Sequence, residues 1–368
     1  MSKYDYLVVG AGFTGSVFAR QKAERGFKVK MIDKRPHIGG NAFDYEHETG
    51  ITIHKYGPHL FHTNSAKVYD WLSQFTEWNP YDHRVMASLG EGKPTVPVPF
   101  NFRSIDLCFE SWQARAFKES LCDLRQHNNQ RFTLGKLMKS SDHHVVGLAM
   151  YVYENIFKHY TKKMWDMTLE ELGPTVADRV PIIAGYDDRY FADDYQALPA
   201  DGYTNLFKKM LGHPNISVEL STEYEHDMEG DAKLFFTGPI DEYFGAAEGA
   251  LPYRGIEFVV CPDTEVKVLK GAATLNFTSM DTSYTRVTSM RALNGLQSNS
   301  RDVSVYEQPN YKERYYPYST EAARSMYRKY EEAATAYPRI KFAGRLGSYQ
   351  YLNMDQAVAQ ALKCAEEF

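Results

Sequence analysis

The chain has 368 residues, of which 43% are hydrophobic and 24% charged, and its formal net charge at pH 7 is −5. This composition is typical of a globular protein with two or three connected domains, and the lack of a basic tract argues against a nucleic-acid partner. We expect no secretory signal and no membrane span, because no long apolar run occurs. The cysteines form no CxxC pair, which favours reduced thiols in the cytoplasm over a structural zinc site.

The N-terminal residues predict a β-α-β unit. The apolar run 4–9 predicts a strand, residues 14–25 predict a helix, and "KVKMID" at 28–33 predicts a second strand. This order is typical of a parallel sheet that carries helices on its faces.

A glycine-rich turn joins the first strand to the first helix. In "VVGAGFTG", Gly10 allows a tight turn, Gly12 lets the backbone approach a pyrophosphate, and Gly15 lets the helix pack closely on the sheet. The pyrophosphate then lies at the positive N-terminal end of the helix. Asp33, at the end of the next strand, is placed to accept a hydrogen bond from a ribose hydroxyl. The pattern therefore predicts a dinucleotide site.

Two further turns favour FAD over NAD. The stretch "KRPHIGGNAF" places Gly40 and Asn41 soon after Asp33, where a nicotinamide-binding domain would normally continue into its next helix. Near the C-terminus, "FAGRLGSYQYLNMDQAV" contains another strand-to-helix turn, around Arg345. A flavin dinucleotide is long enough to use both ends of the chain.

The stretch "HKYGPHLFHTN" contains His54, His59 and His62 and is open to three interpretations. A metal site would need convergent ligands and a further carboxylate or cysteine, and neither is evident. The histidines could instead be satisfied by backbone hydrogen bonds, or one of them could lie beside an isoalloxazine ring.

The rest of the chain alternates helical and β-rich segments. Helices are predicted at 66–75, 203–211, 320–336 and 353–367, and residues 104–172 are predicted to be mainly helical. Strands are predicted at 83–88, 95–99, 216–220, 233–236 and 339–343, with an antiparallel sheet over 253–306. The fold class predicted is α/β, a FAD-binding Rossmann-like parallel sheet domain with an inserted helical domain and an antiparallel β-sheet domain. The predicted segments are 1–82 (FAD-binding), 83–103 (β-sheet), 104–172 (helical insert), 173–236 (lid and return to the FAD-binding domain), 237–318 (antiparallel substrate domain) and 319–368 (FAD-binding).

Several of these motifs together resemble one enzyme family. "HIGGNAF", "HKYGPHLFHTN", "YTKKMW", "DGYT", "FTGPID", "LPYR", "LNFT", "YYP" and "FAGRL" occur in one order from end to end, and this arrangement resembles the UDP-galactopyranose mutases of the bacterial type. The resemblance implies a cytoplasmic homodimer that isomerises UDP-galactopyranose and UDP-galactofuranose. It also implies FAD that is active when reduced, with N5 attacking the anomeric carbon, and a reductant such as NAD(P)H.

The resemblance also implies roles for individual residues. The implied catalytic residues are Arg179 and Arg286, which hold the diphosphate, and His59. The implied substrate contacts are His83, Phe157, Thr161, Trp165, Tyr190, Asn276, Tyr316, Tyr351 and Asn353. The implied cofactor contacts are Gly10, Gly12, Phe13, Gly15, Asp33, Lys34, Gly40, Asn41, His59, Leu60, Arg345, Leu352, Met354 and Asp355. The segment 173–190 corresponds to a lid that closes on the nucleotide.

The sequence departs from the family at His83, Leu352, Asn353 and Asp166, where many members carry Asn, Tyr, Asp and Gly. These departures put the identity of the sugar in doubt, so a mutase for UDP-N-acetylgalactosamine or for a deoxy sugar on another nucleotide remains an alternative. Two other classes remain: an FAD-dependent amine-oxidase-like oxidoreductase, which shares the N-terminal fold, and a flavin-bound interaction protein without chemistry.

Overall fold

The computed structural model describes residues 4–124, 130–172, 180–262, 271–296 and 302–368. Contacts within the chain divide it into two compact units. Unit 1 comprises residues 1–81, 193–255 and 311–368, and unit 2 comprises residues 82–192 and 256–310. The six segments predicted from the sequence stay a prediction. Within the described residues, no helix has the length and apolar character that a bilayer crossing requires.

A parallel sheet forms the centre of unit 1. Its described strands lie in the order Ile216–Leu220, Val29–Asp33, Tyr6–Val9, Lys233–Phe236 and Ile340–Phe342, and each neighbouring pair is parallel. The sequence predicted each of these strands to within two residues. The prediction succeeded because strands buried on both faces consist of short apolar runs, and these are visible in the sequence.

The first and last helices of unit 1 lie together on this sheet. The helix Phe13–Glu24 buries Val17 against Val358 and Leu362 of the helix Met354–Glu367. Deeper in the same layer, the Phe18 ring stacks on Phe235 with 3.7 Å between ring centroids. Both ends of the chain therefore belong to the same α/β layer, as the sequence predicted.

The remaining elements of unit 1 are short strands and further helices. The hairpin Asp44–Glu46 with Thr52–His54 is antiparallel, and the sequence did not predict it because each strand has three residues. The strand Tyr195–Pro199 pairs with two further short strands, Phe61–Thr63 and Trp78–Pro80. The other helices are Gly40–Ala42 (3₁₀), Ala66–Leu72, Tyr203–Leu211, Ile240–Tyr243, Glu321–Ala334 and Gly344–Gly347. Tyr316–Pro317 pairs with the start of the strand Tyr253–Pro262.

Unit 2 contains a mixed sheet. The strand Tyr253–Pro262, whose residues from Ile256 onward belong to this unit, lies at one side of it. Next to it the described strands follow in the order Val303–Asn310, Arg286–Ser289, Thr274–Phe277, Val85–Ser88 and Thr95–Val98. Among these five strands the neighbouring pairs are antiparallel, as predicted, except that Val85–Ser88 runs parallel to Thr274–Phe277. The sequence did not predict that parallel pairing because these two strands lie far apart in the chain.

Helices make up most of the rest of unit 2. The helices among its described residues are Phe102–Cys108, Ser111–Asp123, Leu134–Leu137, His143–Val152, Lys158–Trp165, Leu169–Leu172 and Met290–Leu293. A π-helical stretch, Tyr153–Phe157, joins His143–Val152 to Lys158–Trp165. Within 145–157 the sequence places six apolar residues at helical spacing, which predicts one buried stripe: Val145, Leu148, Ala149, Val152, Ile156 and Phe157. That stripe is confirmed, because all six residues are buried in one core. A two-stranded pairing of Arg131–Phe132 with Ile182–Ile183 was not predicted.

Candidate functional site

The glycine turn of unit 1 packs backbone against backbone. A Cβ on Gly15 would lie 1.9 Å from the Gly10 carbonyl oxygen, so only glycine allows the helix to approach the turn this closely. A Cβ on Gly40 would lie 2.9 Å from the Gly12 Cα, and Gly40 has a φ of +55°. The two predicted glycine segments therefore meet at the N-terminus of the first helix, which is a fitting cradle for a pyrophosphate. Phe13, the first residue of that helix, is buried.

Asp33 ties the end of its strand to this turn. One carboxylate oxygen accepts from the Ala11 N–H at 2.7 Å and the other from the Arg35 N–H at 2.8 Å. Each oxygen keeps a further lone pair, so a ribose hydroxyl can still donate to it. Asn41 accepts from the Arg35 guanidinium at 2.9 Å, while Lys34 is exposed.

The C-terminal turn lies in the same unit and carries a cation among aromatic rings. The Arg345 guanidinium carbon lies 5.3 Å from the Tyr316 ring centroid and 5.0 Å from that of Tyr351, and the two rings stack at 4.9 Å. The Arg345 Nη2 donates to the Leu352 carbonyl at 2.7 Å. Tyr315 completes the cluster at 5.9 Å. The predicted cofactor contact Arg345 thus lies beside two predicted substrate contacts.

The N-terminus of the helix Met354–Glu367 carries a second group of polar side chains. Asn353 is its N-cap residue, and its backbone N–H donates to the Gln356 side chain at 2.9 Å. The Asp355 Oδ2 accepts from the Thr63 hydroxyl at 3.0 Å. The Asp355 Oδ1 is buried and has no hydrogen-bond donor within the described part of the chain. A buried acceptor without a donor is costly, so this oxygen fits a hydroxyl of a bound cofactor.

Each of the three histidines of "HKYGPHLFHTN" has a polar group within hydrogen-bond distance of its Nδ1. The His54 Nδ1 accepts from the His59 N–H at 3.0 Å, and the His59 Nδ1 lies 2.9 Å from the Gly57 carbonyl. The His62 Nδ1 pairs with Asp193 at 3.0 Å. The described residues include no group of three or more His, Cys, Asp or Glu side chains that could hold a metal ion. The His59 bond to a carbonyl makes its Nδ1 the protonated nitrogen, so Nε2 is left as an acceptor.

Burial holds two of these histidines neutral. It lowers the pKa of His54 to about 4, against an opposing effect of Asp44, and it lowers the pKa of His59 to about 3. Both pKa values lie below the ordinary value of about 6.5 in an unfolded chain, so acid protonates the unfolded state first. The histidines therefore contribute no pH dependence above about pH 6.5, and stability falls as the pH decreases below that value.

We therefore expect His54→Asn to reduce the acid sensitivity of unit 1. Asparagine keeps an acceptor for the His59 N–H and does not titrate, so the variant should lose about 2 kcal/mol less unfolding free energy than the wild type between pH 7.5 and pH 5. Urea unfolding at the two pH values measures this difference. His159→Asn, a change at an exposed histidine of unit 2, is the control. An equal acid sensitivity in wild type and His54→Asn would contradict the assignment.

Two of the predicted site residues, Asn276 and Arg286, lie on one face of the sheet of unit 2. Asn276 pairs with Arg286, and Arg286 pairs with Glu307 on the next strand, so their side chains point to the same face of the sheet. The Arg286 Nε lies 3.3 Å from the buried Glu307 carboxylate. Burial raises the pKa of Glu307, whereas Arg286 opposes the rise. The Asn276 Oδ1 is buried without a donor in the described ranges.

The helix Lys158–Trp165 covers this region through Tyr160, whose hydroxyl accepts from the Arg286 Nη2 at 3.1 Å. Thr161 and Trp165 of the same helix are buried, as is Phe157 just before it. The structure thus brings a cation, a buried amide oxygen and the aromatic ring of Tyr160 together in unit 2. Such a set can bind the phosphate and base of a nucleotide.

Other predicted residues fall elsewhere. His83 is buried, with its ring centroid 5.7 Å from that of Tyr190, and its carbonyl accepts from the Tyr190 N–H at 2.8 Å. Arg179 and part of the predicted lid, 173–179, lie outside the described residues. Tyr316, Tyr351 and Asn353 belong to unit 1, whereas the other described substrate residues belong to unit 2. The predicted substrate set is therefore divided between the two units.

Sequence reasoning missed Tyr160 and Glu307, which both contact Arg286. Tyr160 is part of "YTKKMW", and that motif was the available signal. Glu307 has no local signal, because only its pairing with Arg286 across the sheet gives it a role.

Comparison with known proteins is consistent with these observations. A family model described as UDP-galactopyranose mutase matches residues 155–351, and one for an NAD(P)-binding Rossmann-like domain matches residues 8–75. A probable UDP-galactopyranose mutase from Klebsiella pneumoniae is 35% identical over 100% of this chain and 95% of that protein. A dTDP-fucopyranose mutase from Escherichia coli is 33% identical over 98% of this chain and 97% of that protein.

Solved structures agree at the level of fold. A reduced UDP-galactopyranose mutase has a TM-score of 0.73 and 15% identity, and the match covers 100% of this chain and 94% of that chain. An oxidoreductase from Methanosarcina mazei has a TM-score of 0.53 and 10% identity, and the match covers 98% and 99% of the two chains. At such low identity these two likenesses establish the architecture and leave the chemistry open.

Proposed function

The chain belongs to the UDP-galactopyranose mutase family and is an isomerase, and from that premise we propose that it interconverts UDP-galactopyranose and UDP-galactofuranose with FAD. The observation that carries the proposal is Arg286, held between Glu307 and Tyr160, in a chain that also has a dinucleotide turn. A guanidinium fixed in this way suits a diphosphate that must leave and return.

The family and the Rossmann-like domain imply a flavin cofactor, and we propose FAD. Gly12, Gly15 and Gly40 would cradle its pyrophosphate, Asp33 would accept from a ribose hydroxyl, and Asp355 would accept from a further hydroxyl. When bound in its reduced form, the flavin supplies N5 as a nucleophile for the anomeric carbon of the sugar. We further propose that His59 contributes its unprotonated Nε2 as an acceptor near the cofactor.

Arg286 would hold the diphosphate as the bond to the anomeric carbon breaks. Its positive charge stabilises the negative charge that develops on the departing UDP, and it retains UDP so that the nucleotide can return to the isomerised sugar. Glu307 and Tyr160 fix the guanidinium in advance, which lowers the cost of orienting it. The resemblance assigns Arg179 as a second diphosphate ligand. We propose that role for Arg179, and we also propose a homodimer, a cytoplasmic location and a reductant such as NAD(P)H.

A second candidate is a mutase for a deoxy sugar carried by another nucleotide. The dTDP-fucopyranose mutase is 33% identical, close to the 35% of the UDP-galactopyranose mutase from Klebsiella pneumoniae, so overall identity does not separate the two substrates. The departures from the family at His83, Leu352 and Asn353 also do not select between the two sugars. Small differences in sugar contacts change a preference by about 1–3 kcal/mol.

The test is an assay of the protein with its flavin reduced by dithionite, against UDP-galactofuranose and a dTDP-linked deoxy furanose. We expect UDP-galactopyranose to form, as measured by chromatography under anaerobic conditions, with the flavin still reduced at the end of the reaction. The same protein with oxidised flavin should be inactive. Conversion of the dTDP sugar alone would select the second candidate, and reduction of the oxidised flavin by the substrate would identify an oxidoreductase.

A further inference from the structure

Lys163 holds both ends of the loop between the strands that carry Asn276 and Arg286. Its ammonium donates to the Phe277 carbonyl at 2.8 Å, to the Thr282 carbonyl at 3.2 Å and to the Tyr284 carbonyl at 2.9 Å. Phe277 directly follows Asn276, and Tyr284 comes two residues before Arg286. An ammonium has three donors and no acceptor, so it matches three converging carbonyl oxygens.

The position of Lys163 on its helix explains this role. Tyr160 and Lys163 are three residues apart and therefore lie on one face of the helix Lys158–Trp165. Tyr160 accepts from the Arg286 guanidinium, and Lys163 binds the loop beside it. Thr161 and Trp165, four residues apart, share another, buried face. One face of this helix therefore contacts the Asn276–Arg286 hairpin through Tyr160 and Lys163, and another face carries Thr161 and Trp165.

We propose that Lys163 is a positioning residue that fixes the Asn276–Arg286 hairpin against the helix that carries Thr161 and Trp165. The proposal rests on the proposed function, since the hairpin and helix are the parts we assign to nucleotide binding. Lys163 acts through backbone carbonyls, so it sets the placement of Arg286 without touching the substrate. Burial lowers the pKa of Lys163 to about 8, opposed by Asp281, so the side chain stays mainly charged at pH 7.

Lys162 provides a matched control on the same helix. Its ammonium pairs with Asp166 at the helix end at 3.0 Å and is half exposed, at 51%. Lys162→Met removes the same charge from the adjacent position and leaves the loop carbonyls bonded. Lys163→Met removes the ammonium with little change in volume. Lys163→Arg keeps a permanent charge and several donors.

The experiment compares these three variants with the wild type as FAD-loaded proteins. Titration calorimetry measures the dissociation constant for UDP, and hydrogen exchange with mass spectrometry measures protection of residues 277–286. Lys163→Met should weaken UDP binding by about tenfold. It should also speed exchange at Phe277 and Thr285, whose amides bond Thr285 and Glu307. Lys162→Met should match the wild type, and Lys163→Arg should recover most of the affinity.

The outcomes separate this inference from the proposed function. Unchanged UDP affinity in Lys163→Met overturns the positioning role, even if exchange in the loop increases, because Lys163 would then be only structural. Failure of Lys163→Arg to recover any affinity also counts against it. A wild type that binds UDP but shows no mutase turnover overturns the proposed function and leaves the Lys163 comparison valid. A wild type that does not bind UDP overturns both.

Discussion

Arg286→Ala is expected to lower kcat/KM of the reduced enzyme by about a thousandfold. The substitution removes the charge proposed to stabilise the departing diphosphate, together with the ion pair with Glu307 and the hydrogen bond to Tyr160. Because the flavin residues belong to unit 1, FAD absorbance should survive. Stopped assays with UDP-galactofuranose and a flavin spectrum of the same sample measure the two properties together.

Arg291→Ala is the matched control for that result. Arg291 follows the same strand and lies 3.9 Å from Asp302, so its removal also breaks an arginine–carboxylate pair of unit 2. We assign it no part in substrate binding, and kcat/KM should stay near the wild-type value. Near-normal turnover by Arg286→Ala, or an equal loss in both variants, would contradict the diphosphate role of Arg286.

Gly40→Ala is expected to weaken FAD binding by about a hundredfold or more. Its Cβ would lie 2.9 Å from the Gly12 Cα, in a contact between two backbone segments that cannot relax by rotating a side chain. The new methyl group forces apart the two turns that would cradle the pyrophosphate. The dissociation constant for FAD, measured by quenching of flavin fluorescence on binding to apoprotein, gives the effect directly.

Gly50→Ala is the control that separates the effect of backbone strain from the effect of steric crowding in Gly40→Ala. Gly50 also has a positive φ, +77°, but a Cβ there would meet no atom within 4 Å. This variant should lose about 1 kcal/mol of stability from backbone strain and bind FAD normally. If Gly40→Ala binds FAD as tightly as Gly50→Ala does, the two glycine turns do not form the pyrophosphate cradle.

The sequence predicted the elements whose signal is local. The strands of the parallel sheet, and the turn that leads from the first strand into the first helix, were predicted correctly because apolar runs and turn-forming residues are visible in consecutive positions. The apolar stripe over 145–157 was predicted for the same reason. The hairpin 44–54 and the strand Phe61–Thr63 were missed, since three-residue strands carry too little pattern to be distinguished from turns.

The contacts of the proposed functional side chains are made with residues far away in the sequence. Arg286 meets Tyr160 across 126 positions of sequence, and Lys163 meets the Phe277 carbonyl across 114. Backbone carbonyls have no sequence signature, so no motif could reveal that Lys163 holds a loop whereas Lys162 lies at the surface. The sequence by itself determined the dinucleotide turn and, through its resemblance to a family, the class of reaction. Only the tertiary structure decided which groups orient Arg286, because those contacts form when separate strands and a helix pack together.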